Sequence, residues 1–519
     1  MMRSILRAEI KKALNKKINF NVFTNEKFGD YSSNVAMILA KDLKNNPIEV
    51  ANNLKSQISN LKSGFFEKIE VAPPGFLNFT LSEKGLIEGV TNICDSKYLS
   101  RLGKGKRIQL EFISANPTGE LHIGHGRSAF YGDSLANVLE KAGHKVEREY
   151  LINDSKESTQ IKELGKTVLG KGKSYLTDYL KSKIQDTRYK IQKTQDEGEV
   201  GYRIAKKIQK DNEKFIKSLG IKFDNWFSEE LQLRRKNEFK KTIELLKNKK
   251  LVYKKDGALW LKTSEYGDDE DRVIVRLSGE ITYFLSDIAY HLDKIKRDYK
   301  KIIDIWGADH HGHVKRMMAV KKMLGWKSDL DILISQLVTL RDGGERKKLS
   351  KRKGDIVLLK DLIKEVGIDA VRWFYLEKSL STHMEFDMVL AKEQSEKNPV
   401  YYAQYAHARM SSILAKSEIR STKLETIFKA KIINSKPIRK LILKLIQFPE
   451  IVEDSANDYQ MQRLTTYVYE LAGEFSQFYR DVRVIGSENE KELIALVVLT
   501  RKILADTLKL LGISAPEKM

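Results

Sequence analysis

Apolar and polar positions alternate along RIQLEFIS (107–114), with Ile108, Leu110 and Phe112 on one face and Gln109 and Glu111 on the other. A period of two is what a strand requires. Over GHGRSAFYGDSLANVLEKAG (124–143) the spacing becomes helical and stops at Gly143, a residue suited to a helix C-terminus. KVEREYLIN (145–153) reads as a second strand. Strand, loop, helix and strand form a βαβ unit and predict a parallel sheet. The theme returns at KIIDIWGADHHGH (301–313), a strand running into a His-rich loop, followed by a helix over 314–324 and a strand over LDILISQLVTL (330–340). Between the halves lies a long stretch of charged, helical and hairpin-like spacing. It leaves two arrangements open: one sheet interrupted by an insertion, or two separate α/β domains.

The ends of the chain follow other patterns. MMRSILRAEIKKALNKK is basic and amphipathic, without the apolar core of a secretory signal; a transit peptide is one reading, and the first helix of a domain fits its helical spacing better. VAPPGFLNFTLS (71–82) sets a Pro-Pro-Gly turn before an alternating, strand-like run, and the Gly- and Lys-rich SRLGKGKR (100–107) marks a domain boundary. From about residue 395 onward apolar residues recur only at helical steps, which predicts a helical bundle. The longest apolar run, Leu493 to Leu499, is too short to span a bilayer, so no membrane span is expected.

At 519 residues the chain exceeds one core, and 41% hydrophobic with 31% charged residues allows sizeable cores on a soluble chain. The single cysteine, Cys94, excludes an internal disulfide and a Cys-rich zinc site, and a cytoplasmic location fits. The net charge of +23 has two explanations. Lysines spread over solvated faces are one; a polyanionic partner, nucleic acid above all, is the other.

The chemistry concentrates at SANPTGELHIGH (114–125). This loop joins a strand to a helix, and open α/β sheets bind ligands at the carboxyl ends of their strands. His122 and His125 stand one helical step apart with Gly124 between them. They suit a nucleoside triphosphate whose α-phosphate is under attack, or are two surface histidines at a helix cap. KKLSKRKGD (347–355) adds Lys348, Ser350, Lys351 and Arg352 as a second phosphate-suited loop, or a solvated basic turn. GKGKS (170–174) lacks the upstream glycine and strand of a P-loop. DHHGH (309–313) suits a metal or, better, the wall of a substrate pocket. TYFLSD (282–287) places Tyr283 and Asp287 on one face if helical, and with Glu111 and Asp309 these carboxylates suit a cationic substrate. Tyr402, Tyr405 and Arg409 recur at helical steps, as base stacking or plain helix packing would have them.

SANPTGELHIGH together with KLSKR resembles the paired signature of class I aminoacyl-tRNA synthetases. FGDYSSNVAMILAK, VAPPGFLNF, DGALWLKTSEYGDDEDRV, TYFLSDIAYHLDK, WGADHHGHV, NPVYYAQYAHARM and the ending LGISAPEKM extend the resemblance, over nearly the whole chain, to the bacterial arginyl-tRNA synthetase family. The resemblance implies a multidomain α/β protein. A small α+β tRNA-contacting domain would span 1–100. A Rossmann-like catalytic domain would span 101–385, with a connective insertion over about 160–300. An all-helical anticodon-binding bundle of the DALR type would span 386–519. It implies arginyl-adenylate formation from L-arginine and ATP with magnesium, no zinc, and transfer to tRNA(Arg), by a cytoplasmic monomer. His122, His125 and Lys351 match the catalytic positions. Gly119, Gly124, Lys348 and Ser350 join these three around ATP. Glu111, Ser114, Asn116, His125, Tyr283, Asp287 and Asp309 match the arginine pocket, and Tyr402, Tyr405 and Arg409 the tRNA contacts. The family needs its tRNA for arginine activation. Two departures stand out: Leu349 where many class I enzymes carry Met, and NDSKESTQI (153–161), which replaces the family's usual Asn-Asp-Ala-Gly-Asn-Gln run.

Three other functions fit parts of the sequence. A small-molecule nucleotidyltransferase shares the paired histidines but has no need of the helical C-terminus. A non-catalytic RNA-binding protein has no need of both phosphate loops with Tyr283 and Asp287. A class I enzyme for another amino acid is the nearest rival.

Overall fold

In the computed structural model the described residues are 2–14, 17–25, 27–94, 105–185, 194–343, 345–347, 357–417 and 435–519. They form two compact units, one of residues 103–393 and one of residues 1–102 with 394–519.

The first unit is built on five strands: β1 (Arg107–Glu111), β2 (Lys145–Ile152), β3 (Asn225–Ser228), β4 (Lys301–Gly307) and β5 (Asp329–Ser335). Their order is β5-β4-β1-β2-β3, and every pairing is parallel. Strands β1 and β4 are neighbours, with Lys301 opposite Ile108 and Asp304 opposite Glu111, although 189 residues separate Glu111 from Lys301. One interrupted sheet is therefore correct, and two separate α/β domains are not. Strand β3, only four residues long, shows no usable periodicity, yet it lies inside the stretch assigned to an insertion and completes the main sheet.

The crossover from β1 is α1 (Ile123–Lys141). Gly132 lets it lie close on the sheet, since a Cβ there would come within 2.3 Å of the Phe112 ring. Helix α2 (Tyr283–Lys296) precedes β4, and α3 (His311–Leu324) follows it. The strand expected over 330–340 is two strands. After Ser335 the chain leaves the main sheet, and Val338–Asp342 pairs with Met384–Asp387 and Glu345–Lys347 in a small separate sheet. The chain moves away from β1 after β1 toward β3, then resumes on its other side with β4. The switch in direction lies between β1 and β4, where open α/β sheets take their ligands.

In the other unit, residues 1–94 contribute a four-stranded antiparallel sheet with helices Met2–Lys12, Val35–Leu43, Pro47–Asn60 and Glu83–Cys94. The C-terminal part is helical, as its spacing predicts: Pro399–Lys416, Lys436–Asp458, Gln462–Asp481 and Glu490–Leu510. Both ends of the chain meet here. Arg3 pairs with Asp454 at 2.7 Å, and Arg439 with Asp30 at 2.6 Å. No helix among the described residues is long and apolar enough to cross a membrane.

Candidate active site

The loop after β1 carries, just past Phe112, two non-glycine residues in left-handed backbone, Ile113 at φ +69° and Ser114 at φ +41°. For a β-branched residue this is costly, and such strain gathers where a side chain must be aimed. Here it turns Ser114 back on its own strand. The Ser114 hydroxyl donates to Glu111 Oε1 (2.8 Å) and accepts from the backbone NH of Leu151 (3.1 Å). Asn116 Oδ1 accepts from Asn153 Nδ2 at 3.1 Å, and the Gly119 carbonyl accepts from Asn212 Nδ2 at 3.1 Å. The divergent NDSKESTQI run is thus wired into the fold. Asp154 accepts from Ser228 Oγ and from the Glu230 NH, and Ser158 caps the following helix.

His122 is the N-cap of α1, and the two histidines cap the helix reciprocally. His122 Nδ1 accepts from the Gly124 NH (3.1 Å), while His125 Nδ1 accepts from the His122 NH (3.1 Å). The rings stack with centroids 3.6 Å apart. Burial first, and the neighbouring His122 second, push His125 down to about 3, so its ring is neutral near pH 7. A neutral imidazole that accepts at Nδ1 carries its proton on Nε2. The cap therefore leaves His125 with an N–H donor at Nε2 rather than a charge. Gly124 is needed by this arrangement itself: a Cβ there would lie 2.9 Å from His122 Cε1.

Lys348, Ser350 and Lys351 lie outside the described residues. The chain on their C-terminal side is pinned to the histidine loop. The Ile123 NH donates to the Val357 carbonyl at 3.1 Å, and the Leu359 NH to the Leu121 carbonyl at 2.9 Å.

Tyr283 and Asp287 both sit on the first turns of α2, whose N-cap Thr282 accepts from the Leu285 NH. Tyr283 is 56% exposed. Asp287 Oδ2 accepts from His313 Nε2 at 2.7 Å. Asp309, from the same His-rich run, is turned outward with its side chain 85% exposed, and the structure brings His313 rather than Asp309 onto Asp287. The expected loop at 309–313 is a short turn that becomes helix at His311.

Glu111 is buried. Its Oε2 accepts from Lys294 Nζ at 2.6 Å, and the same ammonium donates to Asp304 Oδ1 at 2.6 Å. A further acidic group was not anticipated from the sequence. Glu229, immediately after β3, is buried and accepts from Ser286 Oγ at 3.0 Å, one residue from Asp287. Burial pushes its carboxyl up to about 7, against the pull of Ser286 and Arg234. Glu229, Ser286 and Tyr283 line one cavity of about 340 Å³ with Thr159, Arg234 and Arg276. The signal that could have found Glu229 is its place at the carboxyl end of a sheet strand, hidden because that strand is so short. Among the described residues no group of three or more His, Cys, Asp or Glu could hold a metal ion.

In the other unit, Tyr402, Tyr405 and Arg409 line a common cavity of about 670 Å³. Arg409 donates to the Tyr405 hydroxyl (2.7 Å) and stacks on Tyr405 and Tyr479, while Tyr402 packs on Tyr469 and donates to Ser476. A neighbouring cavity of about 880 Å³ is lined by Tyr405, Arg409, Lys416, Tyr479, Arg483 and Lys518.

A doubly wound sheet whose switch point carries a histidine-capped helix instead of a glycine-rich loop has the layout of the class I aminoacyl-tRNA synthetases. These use ATP to activate an amino acid. The matching family descriptions follow one another along the chain: the arginyl-tRNA synthetase N-terminal domain over residues 1–81, the class I (R) tRNA synthetase catalytic domain over 90–222 and 153–411, and the DALR anticodon-binding domain over 403–519. The chain belongs to the arginyl-tRNA synthetase family. It is 40% identical over 521 residues to arginine–tRNA ligase 1 of Halalkalibacterium halodurans, covering 95% of this chain and 92% of that one. It is 38% identical over 559 residues to the arginine–tRNA ligase of Bacillus subtilis, covering 100% and 99%. In fold it is similar to Thermus thermophilus arginyl-tRNA synthetase, with a TM-score of 0.81 at 22% identity over the full length of both chains.

Proposed function

We propose that the chain joins L-arginine to ATP as arginyl-adenylate, releasing pyrophosphate, and then transfers arginine to the terminal adenosine of tRNA(Arg). The observation that carries this is the reciprocal histidine cap at the switch point of the sheet. It offers a preformed, uncharged donor where an α-phosphate would lie.

In the first step an oxygen of the arginine carboxylate attacks the α-phosphorus. The bond from that phosphorus to the bridging oxygen breaks, and pyrophosphate leaves with the electron pair. His125 donates through Nε2 to a non-bridging oxygen as charge builds there, and His122 works beside it. Lys351 and Lys348 of the KLSKR loop supply the positive charge, with Ser350 beside them, and Gly119 and Gly124 keep the nucleotide's path open. Magnesium enters with the triphosphate. In the second step a ribose hydroxyl of the tRNA attacks the arginyl carbonyl carbon and AMP leaves.

Asp287, Tyr283 and the buried Glu229 read the guanidinium, whose planar fork matches carboxylates. Ser114, Asn116 and Glu111 hold the amino-acid end. Asp309, exposed on its turn, serves the pocket rim. Tyr402, Tyr405 and Arg409 offer the tRNA stacking faces and charge, in a monomer acting in the cytoplasm.

Arginine-dependent ATP–pyrophosphate exchange tests this, with and without tRNA. Exchange with arginine only when tRNA is present is the expected result. Exchange with arginine alone would keep the reaction and remove the requirement for tRNA. Exchange with a different amino acid would overturn the assignment of Tyr283 and Asp287.

A further inference from the structure

The His-rich run at 309–313 has no part in the chemistry above apart from Asp309, yet the structure gives its last member a definite task. His313 lies on the first turn of α3, next to the carboxyl end of β4. Its side chain is 13% exposed and its ring is walled in on two sides. The Phe284 ring meets it edge-on at 5.5 Å and 80°, and the Trp306 ring lies 5.5 Å away at 46°. Those aromatics come from α2 and β4, so the orientation of the imidazole is set by the packing of both elements. Among the described residues the one polar contact this leaves is Nε2 to Asp287 Oδ2 at 2.7 Å. Since a carboxylate only accepts, Nε2 carries the proton and donates. Asp287 Oδ1 has no hydrogen-bond partner among the described residues.

A single aspartate on a helix surface has several rotamers of similar energy. A carboxylate with one oxygen tied to a ring that cannot turn has one. We infer that His313 is a positioning residue for arginine recognition. It holds Asp287 by Oδ2 so that Oδ1 faces the guanidinium, a role that rests on Asp287 taking the guanidinium as proposed above. The work of His313 is then not direct contact with ATP. It is to preorganise the carboxylate that selects the amino acid, and fixed geometry of this kind is what favours a planar cation over one that is merely charged.

The test is a double-mutant cycle on the full chain with saturating tRNA, reading arginine KM, ATP KM and kcat in pyrophosphate exchange. His313→Ala is expected to raise arginine KM roughly tenfold, the scale of a lost hydrogen bond to a charged group, with ATP KM unchanged. His313→Gln, which can still donate to Asp287, is expected to recover most of that loss. Asp287→Asn is expected to raise arginine KM by itself, and adding His313→Ala to it is expected to cost little more. If Asp287→Asn raises arginine KM but neither His313 variant does, the positioning role is overturned and the arginine pocket stands. Strict additivity of the two changes would also overturn it. If Asp287→Asn leaves arginine KM where it was, the pocket assignment itself falls. A thermal melt of each variant keeps folding separate from function. A shared fall in kcat with both KM values unchanged would mark His313 as merely structural and overturn the proposal.

Discussion

Lys294 Nζ and Glu111 Oε2 lie 2.6 Å apart inside the sheet layer, with Lys294 fully buried and the Glu111 side chain 4% exposed. The same ammonium holds Asp304, so one cation compensates two carboxylates, and His291 sits 2.8 Å from Asp304 as well. This ties β1, which runs into the histidine loop, to β4, which runs into the turn behind the proposed arginine pocket.

Removing that ammonium leaves two buried carboxylates without it. Lys294→Met is expected to destabilise the catalytic unit by about 3–5 kcal/mol, the usual cost of breaking a buried pair from one side, as read from urea denaturation. The pH dependence follows from Asp304. Burial pushes its carboxyl up, but Lys294 and His291 more than offset this and hold it below its usual 3.8. A depressed carboxyl stabilises the fold above its unfolded pKa and loses that contribution as pH falls below it. The Lys294→Met deficit is therefore expected to be largest at neutral pH and to shrink in acid, where the orphaned carboxylates take up protons.

Glu229 behaves in the opposite sense. Its carboxyl is raised from 4.5 to about 7, so the folded chain without arginine keeps a proton there that the unfolded chain has released. The stability this proton gives is complete below about pH 4.5 and disappears as pH rises through about 7. A guanidinium favours the ionised form. Arginine KM is expected to fall between pH 6 and pH 8, by roughly the factor set by the ionised fraction, and Glu229→Gln is expected to raise KM and flatten that profile. A profile unchanged in the Gln variant would remove Glu229 from the pocket.

Gly124→Ala places a methyl group against the His122 ring, 2.9 Å from Cε1. The ring must move, and with it the acceptor for the Gly124 NH. The expected outcome is a fall in kcat on the order of a hundredfold, as for loss of one aligned donor, with arginine KM nearly unchanged. His125→Asn is expected to lower kcat likewise, and to raise arginine KM as well, since His125 also matches the arginine pocket. Single-turnover formation of adenylate separates this from slower product release.

Tyr405→Phe removes the hydroxyl to which Arg409 donates, and Arg409→Gln removes the charge itself. Filter-binding titrations over a range of salt are expected to show weaker tRNA binding for both. Only Arg409→Gln should lower the slope of log affinity against log salt, by about one contact's worth. Equal slopes in all three proteins would place the phosphate elsewhere.

The amphipathic first helix, the helical C-terminal region, β1, β2 and α1 were legible because each is long enough to repeat its period several times. The histidine pair was legible because its spacing alone puts both rings on one helical turn. Strand β3 was not: four residues, NWFS, carry no period, and only pairing with β2 makes them a strand. Glu229 stayed hidden with it. The break of 330–340 into two strands was also illegible, since an apolar run reads the same whether one sheet or two receive it.

What the sequence by itself determined were the local periods, the single turn holding His122 and His125, and the family motifs, all encoded by neighbours within a few residues. Only the tertiary structure decided that β1 and β4 lie side by side, that Lys294 neutralises Glu111 and Asp304 together, and that His313 rather than Asp309 meets Asp287. The reason is physical. A buried charge is tolerable only beside its partner, and which partner it meets depends on the order in which strands assemble, not on the distance between residues along the chain.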